Sequence, residues 1–299
     1  NIGLDASFLD NRLNFTGEAY IRNTKDMLTA GIALPAVYGT SSPKMNSADM
    51  QTKGYELTLG WQDMFKLAGK PFSYQVNLTF NDYTSKITKF NNPEKAFAKG
   101  YYEGMRIGEI WGYHIDGIFA TDEEAASYEV DQRNVNDIIN SSSGSLKGLH
   151  AGDLRFADLD GDNRISTGEN TVDKPGDRRI IGNSEPRYQY GANLAFQWCG
   201  FDFSIFFQGI GRMDWYPASE AELFWGPFNR PYATFLPKNF LEKCWSEDNP
   251  DAYFPRPRAY VAYDNLNNQC RELTAKNDRY LQNIGYCRLK NLTVGYTLP

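Results

Sequence analysis

The chain has 299 residues, of which 41% are hydrophobic and 15% aromatic, and its formal net charge is −6 at pH 7. The negative charge gives no electrostatic support to nucleic-acid binding. The two histidines, His114 and His150, lie far apart, so a zinc site or a histidine-based catalytic group is poorly supplied. No segment approaches the roughly 20 consecutive apolar residues of a membrane helix. Alternating barrel strands keep the mean hydropathy low, and aromatic residues suit strands and the interfacial belts of barrels.

Apolar and polar residues alternate with period two in several segments, which predicts strands. The predicted strands, in chain order, cover residues 2–8, 13–23, 55–61, 72–80, 188–198, 201–207 and 292–298. The last follows a phase slip at 288–290, which indicates a bulge. The polar positions are rich in Asn, Gln, Ser and Thr with few charges, which suits the wall of a watery lumen. Between two predicted strands, the pattern of residues 121–128 predicts one short helix, with Thr121 and Glu124 forming a capping box at its N-terminus.

The connections between these strands fall into two classes. Residues 10–12, residues 63–71 and the pair Cys199–Gly200 form short connections, the last a two-residue hairpin turn. Residues 24–51, 85–187 and 211–279 form long ones. Short turns alternating with long loops are typical of outer-membrane barrels, whose long loops lie outside the cell. The predicted fold is therefore all-β, an antiparallel transmembrane β-barrel, with the whole chain 1–299 as one part of the barrel domain.

A twelve-residue acidic segment, 158–169, has the ligand spacing of an EF-hand calcium loop. Its candidate ligands are Asp158, Asp160, Asp162, the backbone carbonyl of Arg164, Ser166 and Glu169. The glycine usual at the sixth position is Asn163, which tolerates the left-handed conformation that the turn needs. The flanks do not form paired helices, so we expect a structural Ca²⁺ that fixes the shape of the 85–187 loop. The alternative is a solvated acidic turn without metal.

Several motifs, spread in a consistent order over the chain, resemble the SusC/RagA family of TonB-linked outer-membrane proteins. They are Gly54-Tyr-Glu-Leu-Thr-Leu59, Ile107-Gly-Glu-Ile-Trp-Gly-Tyr113, Gly152-Asp-Leu-Arg-Phe-Ala-Asp-Leu-Asp-Gly-Asp162, Arg179-Ile-Ile-Gly-Asn183, Gly200-Phe-Asp-Phe203, Phe206-Phe-Gln-Gly209 and Arg288-Leu-Lys-Asn-Leu-Thr-Val-Gly-Tyr296. The resemblance implies part of a large plugged barrel in the bacterial outer membrane. The family's N-terminal plug and its C-terminal strands are not in this sequence, so we expect a longer protein.

The same resemblance implies a function and partners. It implies an importer of oligosaccharides or peptides that pairs with a SusD-like surface lipoprotein and draws energy from the TonB complex through the N-terminal region. The other expected contact is outer-membrane lipid. The sequence has no P-loop, G-x-S-x-G, H-E-x-x-H or G-x-G-x-x-G motif, so no enzyme is predicted. The alternatives are a secreted, calcium-stabilised glycan-binding β-protein and a secreted glycoside hydrolase.

Aromatic side chains in the long loops are the candidate substrate contacts, because their rings could stack on sugars. They are Trp111, Tyr113, Trp215, Tyr216, Trp225 and Tyr232. For each, the alternative is packing within its own loop. The acidic clusters at 122–124 and at Glu220 and Glu222 are interpreted as solvated loop faces. The four cysteines, Cys199, Cys244, Cys270 and Cys287, allow three full pairings, and their spacing does not choose among them.

Overall fold

The fold is that of a computed structural model, which describes residues 1–31, 35, 37, 39–40, 42–136, 148–218, 221–228, 236–257 and 272–298. Two short helices are α1 (Asp122–Ser127) and α2 (Glu222–Trp225). The strands are β1 (Ile2–Phe8), β2 (Leu13–Ala30), β3 (Lys44–Leu67), β4 (Lys70–Lys89), β5 (Glu109–Gly112), β6 (Ile115–Ile118), β7 (Leu154–Phe156), β8 (Arg179–Asn183), β9 (Arg187–Trp198), β10 (Phe201–Arg212), β11 (Asp214–Trp215), β12 (Gln282–Asn283) and β13 (Tyr286–Tyr296). No helix in this described part combines the length and the apolarity needed to cross a membrane.

A seven-stranded antiparallel sheet, in the order β1-β2-β3-β4-β9-β10-β13, organises the described chain. Its strands follow the sequence order, and each pairs with the next. The predicted bulge is confirmed, because the β10–β13 register shifts where Phe206 and Phe207 face Asn291 and Leu289. This leaves Lys290 as the extra residue.

Short turns lie at one end of the sheet, which we call the turn end, and the long connections leave from the other, the loop end. Ala68 and Gly69 join β3 to β4, and Cys199 and Gly200 join β9 to β10; all four have positive φ. Positive φ at both central residues is the requirement of a type I′ hairpin turn, whose twist matches that of the strands. The predicted two-residue turn at Cys199 is therefore confirmed.

Several predicted boundaries are wrong, including the start of the 85–187 connection, because β4 continues to Lys89. The connections at 24–51 and 63–71 are largely strand, because β2 continues to Ala30, β3 begins at Lys44, and β3 and β4 extend almost to their turn. The segment 44–54 of β3 is mostly polar, so the alternation that signals a half-buried strand is lost there. The last strand begins at Tyr286 and ends at Tyr296, earlier than the predicted 292–298.

The ladder register sorts the sheet's side chains onto two faces. Because alternate residues point to opposite faces and paired residues share a face, the register places the apolar positions of all seven strands together. The central part of this apolar face consists of Leu13, Phe15, Leu57, Leu59, Trp61, Val76, Leu78, Leu194, Phe196, Phe203, Ile205, Leu292 and Val294. The described chain does not cover it: Leu292 is 56% and Val294 67% exposed.

Aromatic rings border the apolar face at both ends. At the turn end, ring centroids of Phe65 and Phe72 lie 5.1 Å apart, and those of Phe72 and Phe196 5.9 Å apart. At the loop end, Phe80 lies 6.0 Å from Tyr55 and 6.4 Å from Tyr188. From Phe72 to Phe80 the strand spans ~27 Å at ~3.4 Å per residue, close to the ~25 Å apolar band of a transmembrane barrel.

The hydrophobic core lies outside the sheet, in the two long connections. The connection from β4 to β9 contributes the buried residues Tyr113, Ile115, Val135, Leu154, Phe156 and Ile165. The connection from β10 to β13 contributes Tyr216, Trp225, Phe228, Phe240, Cys244, Phe254, Leu273 and Tyr280. These residues form one cluster, so the two connections fold together into a single body, which we call the loop unit.

Trp225 lies near the centre of the loop unit and is fully buried, whereas its neighbour Leu223 in α2 is 69% exposed. We expect Trp225→Ala to destabilise the loop unit by about 3–5 kcal/mol, since it removes buried area and leaves a cavity. The matched variant Leu223→Ala should change the stability by no more than about 0.5 kcal/mol. Hydrogen exchange of the peptide around Leu273 and Tyr280, measured in the full-length protein, distinguishes them. Equal exchange in both variants would contradict this account of the core.

Candidate functional site

The loop unit holds most of the predicted site residues, and it depends on direct contact between its two connections. The backbone N–H of Tyr113 donates to the Lys276 carbonyl at 2.8 Å, and Asp278 N–H donates to the Tyr113 carbonyl at 3.1 Å. A Cβ at Gly112 would lie 2.5 Å from the same Lys276 oxygen, so only glycine allows the two backbones to approach this closely.

Asp278 ties the two connections together through charged groups. Its carboxylate accepts a hydrogen bond from the Ile115 N–H at 3.1 Å, contacts Nδ1 of His114, and pairs with Arg179 at 3.0 Å. On its other side, His114 Nε2 lies 3.5 Å from Asp116. Burial acts to raise the pKa of Asp278, but the contacts with His114, Ile115 and Arg179 outweigh it and hold the pKa below its ordinary value.

Three of the predicted substrate contacts are buried in the loop unit: Tyr113, Tyr216 and Trp225. The Tyr113 ring packs edge-on against Phe156 at 5.7 Å. The Tyr216 hydroxyl donates to the Leu273 carbonyl at 2.8 Å, and the Trp225 indole N–H lies 3.2 Å from the Pro217 and Ala218 carbonyls. A buried Tyr or Trp whose polar atom is bonded within the fold is a packing residue. The burial thus favours the packing interpretation for these three.

The other candidate aromatic residues differ in their surroundings. Trp215 is 41% exposed, in β11, directly opposite Gln282 of β12. Trp111 is half-buried in β5, with its ring 4.9 Å from that of Phe97. Tyr232 lies outside the described residues. Only Trp215, within the described part of this set, presents a large ring surface to solvent.

The acidic segment 158–169 forms a tight loop in which backbone N–H groups bond to its own carboxylates. Asp158 accepts from Gly161 at 2.7 Å and from Asn163 at 2.8 Å. Asp162 accepts from the Arg164 N–H at 2.8 Å. Asn163 has φ +60°, the left-handed conformation expected at this position. The flank at 154–156 is a strand, as predicted, and no helix pair encloses the loop in the described residues.

The carboxylates that the fold brings together differ in part from the predicted set. Asp158 and Asp160 lie together with Asp177, and their ligand oxygens are all within 4.8 Å of one another. Asp177 is fully buried and was not predicted. Glu169, the predicted twelfth-position ligand, is exposed and forms an ion pair with Lys174 at 2.5 Å. Ser166 Oγ accepts from the Gly168 N–H at 3.0 Å.

The reason that Asp177 was missed is a reversal of the chain after Glu169. The Glu169 N–H donates to the Lys174 carbonyl at 3.1 Å, and this turn brings Asp177 back beside the loop, where it accepts from Leu159 and Ser166 at 2.7 and 2.6 Å. A twelve-residue template ends before this return. The only signal in the sequence is one more acid a few residues beyond the motif.

The three carboxylates have opposed electrostatic environments. Burial, with the negative Asp160 and Asp158 nearby, raises the pKa of Asp177 despite its two backbone bonds. Burial acts in the same direction on Asp158, but the N–H groups of Asn163 and Gly161 lower its pKa below the ordinary value. Hard carboxylate oxygens around one point are the donors that Ca²⁺ prefers, so the residues present fit such an ion.

The cysteines are free where the structure describes them. Cys199 and Cys287 are exposed and Cys244 is buried, which raises its pKa to about 11. Cys270 lies outside the described residues.

Comparison with known proteins agrees with this architecture. The chain is 27% identical over 312 residues to the TonB-dependent receptor P3 of Formosa agariphila, and the match covers 100% of this chain. It is 24% identical over 321 residues to the TonB-dependent receptor P39 of the same organism, with 99% covered. The chain is similar to TonB-dependent receptors over its whole length. It spans 27% and 28% of the lengths of these two relatives, and no family model matches it.

Solved structures show the same fold. A structure of the RagAB peptide transporter matches with a TM-score of 0.65 at 19% identity, over 99% of this chain and 28% of that one. The RagAB peptide importer in its 'closed-closed' state matches with a TM-score of 0.63. The predicted SusC/RagA-like resemblance, the outer-membrane β-barrel fold and the outer-membrane localisation are confirmed. The relatives are receptors rather than enzymes, as predicted.

The Asp278 contacts generate a pH prediction. Because the pKa of Asp278 is lowered by folding, its stabilisation is present above the ordinary Asp value of about 3.9. It is lost as the pH falls through the lowered value.

Asp278→Asn should destabilise the loop unit by roughly 1.5–3 kcal/mol near pH 7, the range for hydrogen bonds to a charged group, and should flatten this acid dependence. Asp116→Asn, a more exposed partner of the same histidine, should have little effect. Pepsin cleavage of the loop unit across acidic pH measures both; a steep acid dependence that persists in Asp278→Asn would contradict the assignment.

Proposed function

We propose that the chain forms part of the barrel wall and the extracellular loop unit of an outer-membrane importer that is driven by the TonB complex. The observation that carries the proposal is the uncovered apolar face of the seven-stranded sheet, bordered by aromatic rings at both ends. In lipid such a face is buried, and the five inner strands of the sheet have partners on both sides, as a membrane-spanning strand needs. The similarity to a TonB-dependent receptor, which extends over 100% of this chain, supports the same function.

The opposite face of the sheet suits a passage for polar nutrients. The register gathers on it a set of mostly uncharged hydrogen-bonding side chains: Thr58, Gln62, Gln75, Asn77, Thr79, Asn193, Gln197, Ser204 and Thr293. Such groups can exchange hydrogen bonds with the hydroxyls of a sugar or the amides of a peptide without binding either tightly. We propose an oligosaccharide or a peptide as the transported nutrient.

A surface lipoprotein of the SusD-like kind is the proposed partner. Two of the matching structures are of the RagAB peptide importer, and one is of the RagAB peptide transporter. The loop unit stands at the loop end, where such a partner would meet the barrel. Trp215, whose ring is accessible, is the aromatic side chain best placed to contact a nutrient, and Trp111 presents less of its ring.

We propose a structural Ca²⁺ in the acidic loop, held by Asp158, Asp160 and Asp177. Asp162, the Arg164 carbonyl and Ser166 are the further candidate ligands from the motif. The burial of Asp177 beside two other acids supports this, because a bound cation would offset a charge that is costly to bury. The ion would fix the return of the chain toward β8 and so the shape of the loop unit.

Membrane partitioning of the full-length parent protein tests the barrel assignment. Leu194→Lys places a charge near the middle of the apolar face, which costs about 2–4 kcal/mol at the bilayer midplane. We expect it to reduce the heat-modifiable form in the outer-membrane fraction. Asn193→Lys, one residue away on the polar face, should leave that form unchanged. The proposal fails if the wild-type protein is soluble without detergent, or if the two variants behave alike.

Uptake by whole cells tests the transport function. Cells with an intact gene should take up the labelled oligosaccharide or peptide, while cells that lack the gene, the gene of the proposed surface lipoprotein, or TonB should not. Trp215→Ala should lower uptake, whereas Leu223→Ala, an exposed change elsewhere in the loop unit, should not. Normal uptake of both nutrient classes without the gene would reject the function.

Calcium titration of the full-length protein by calorimetry tests the metal site. We expect Asp160→Asn to lower the affinity by at least about ten-fold, which is the lower range for disturbing a metal site. Glu169→Gln should bind as the wild type does, because Glu169 is paired with Lys174. If both variants lose calcium affinity equally, Glu169 is a ligand and the ligand set of the twelve-residue motif is correct. If the wild type does not bind calcium, the proposed site is wrong.

A further inference from the structure

Three cations stand together on the apolar face of the sheet, just beyond the aromatic rings at the loop end. Lys86 of β4 and Arg106 face each other directly in an antiparallel bridge. Lys53 of β3 is opposite Thr84, two residues from Lys86 along the strand. Such diagonal neighbours lie roughly 7–8 Å apart on one face. We call Lys53, Lys86 and Arg106 the basic cluster.

The basic cluster lacks a counter-charge of its own. All three side chains are exposed, and none forms an ion pair with another residue that the structure describes. Two neighbouring acids have other partners: Asp82 binds Arg187 through two hydrogen bonds, and Glu109 accepts from the Tyr102 hydroxyl and the Arg106 backbone. Like charges directly opposite each other destabilise a ladder, so an anion from outside the chain would stabilise this one.

The position of the cluster relative to the apolar band identifies the kind of anion. Tyr55, one of the bordering aromatic residues, lies two residues from Lys53 on the same face, about 7 Å along the strand. Tyr and Trp rings mark the level of the membrane–water interface. The basic cluster therefore lies at the depth of the lipid headgroups, and lysine can extend its charged end toward them along an aliphatic stem.

A shallow groove beside the cluster gives the anion an apolar extension. Its lining includes Ala19, Ile21, Tyr55 and Lys53, together with Asp82 and Arg187, which are paired with each other. Arg187 also lines the neighbouring depression that contains Arg106. The groove continues into the lipid-facing band, so an occupant with a hydrocarbon tail and an anionic head matches both parts. A free phosphate ion would match only the basic cluster.

We propose that Lys53, Lys86 and Arg106 bind the phosphate of an outer-leaflet lipid whose acyl chain lies in the adjacent groove. This inference rests on the proposed function, since it takes the loop end as the outer side of the membrane. Each basic side chain near a membrane surface strengthens the binding of an anionic headgroup several-fold. The lipid would hold the extended strands β3 and β4 and the segment around Arg106 in register above the membrane.

Native mass spectrometry of the full-length protein, after exchange into detergent with defined lipid, tests the proposal. The probes are phosphorylated lipid A and the same lipid after enzymatic removal of its phosphates. We expect the wild type to retain the phosphorylated form preferentially. Each of Lys53→Gln, Lys86→Gln and Arg106→Gln should weaken retention about five-fold, and the triple variant by about 100-fold. The matched control is Lys70→Gln, which removes a charge from the same face at the turn end and should change nothing.

Each other outcome overturns the inference. Equal retention of both lipids, or equal effects of Lys70→Gln and the triple variant, means that the cluster does not select phosphate. If the triple variant keeps the lipid but loses the surface lipoprotein, the cluster is a protein contact instead. Heat-modifiable migration shows that each variant is folded. Fractionation of the wild type separates the two proposals: a protein outside the outer membrane fails the proposed function, whereas one within it that ignores phosphate fails only this inference.

Discussion

The need to satisfy backbone hydrogen bonds in a medium without water governs this structure. A strand that crosses lipid must pair on both sides, since an unpaired N–H or C=O costs several kcal/mol there. The five inner strands of the sheet meet this condition, each bonded on both sides to the strands that precede and follow it in the sheet, while β1 and β13 each have one partner among the described residues. Pairing then fixes which residues share a face. The register, rather than contact with a core, therefore separates the apolar face from the polar one.

The loop unit follows a different physical rule. Its residues are in water, so it is stabilised by burying aromatic rings against one another, as Trp225, Phe254 and Tyr280 do. The sheet supplies geometry rather than packing: the β9–β10 hairpin returns the chain so that the two connections emerge side by side. Contacts such as those of Asp278 with His114 and Ile115 then join segments far apart in sequence.

The sequence predicted the parts of the fold in which one local rule dominates. Residues 188–198 alternate without a break, and β9 spans Arg187–Trp198. Thr121 caps α1 by accepting from Glu124, as the motif predicts. The parts of β2, β3 and β4 beyond the loop-end aromatic rings were not predicted as strand. Polar residues are common on both faces there, so the alternation disappears. Asp177 and the burial of Trp225 depend on contacts between distant segments, which a local pattern does not encode.

The division of the aromatic core between two connections has a consequence for biosynthesis. Leu154 and Phe156 belong to one buried cluster with Trp225, Phe254 and Tyr280, which are made roughly 70–130 positions later. Until then the first connection lacks the part of the cluster that the second supplies, and apolar surface left exposed in an unfinished chain favours aggregation. A chaperone that shields an unfinished chain is thus needed as much for the water-exposed half of this molecule as for its lipid-facing strands.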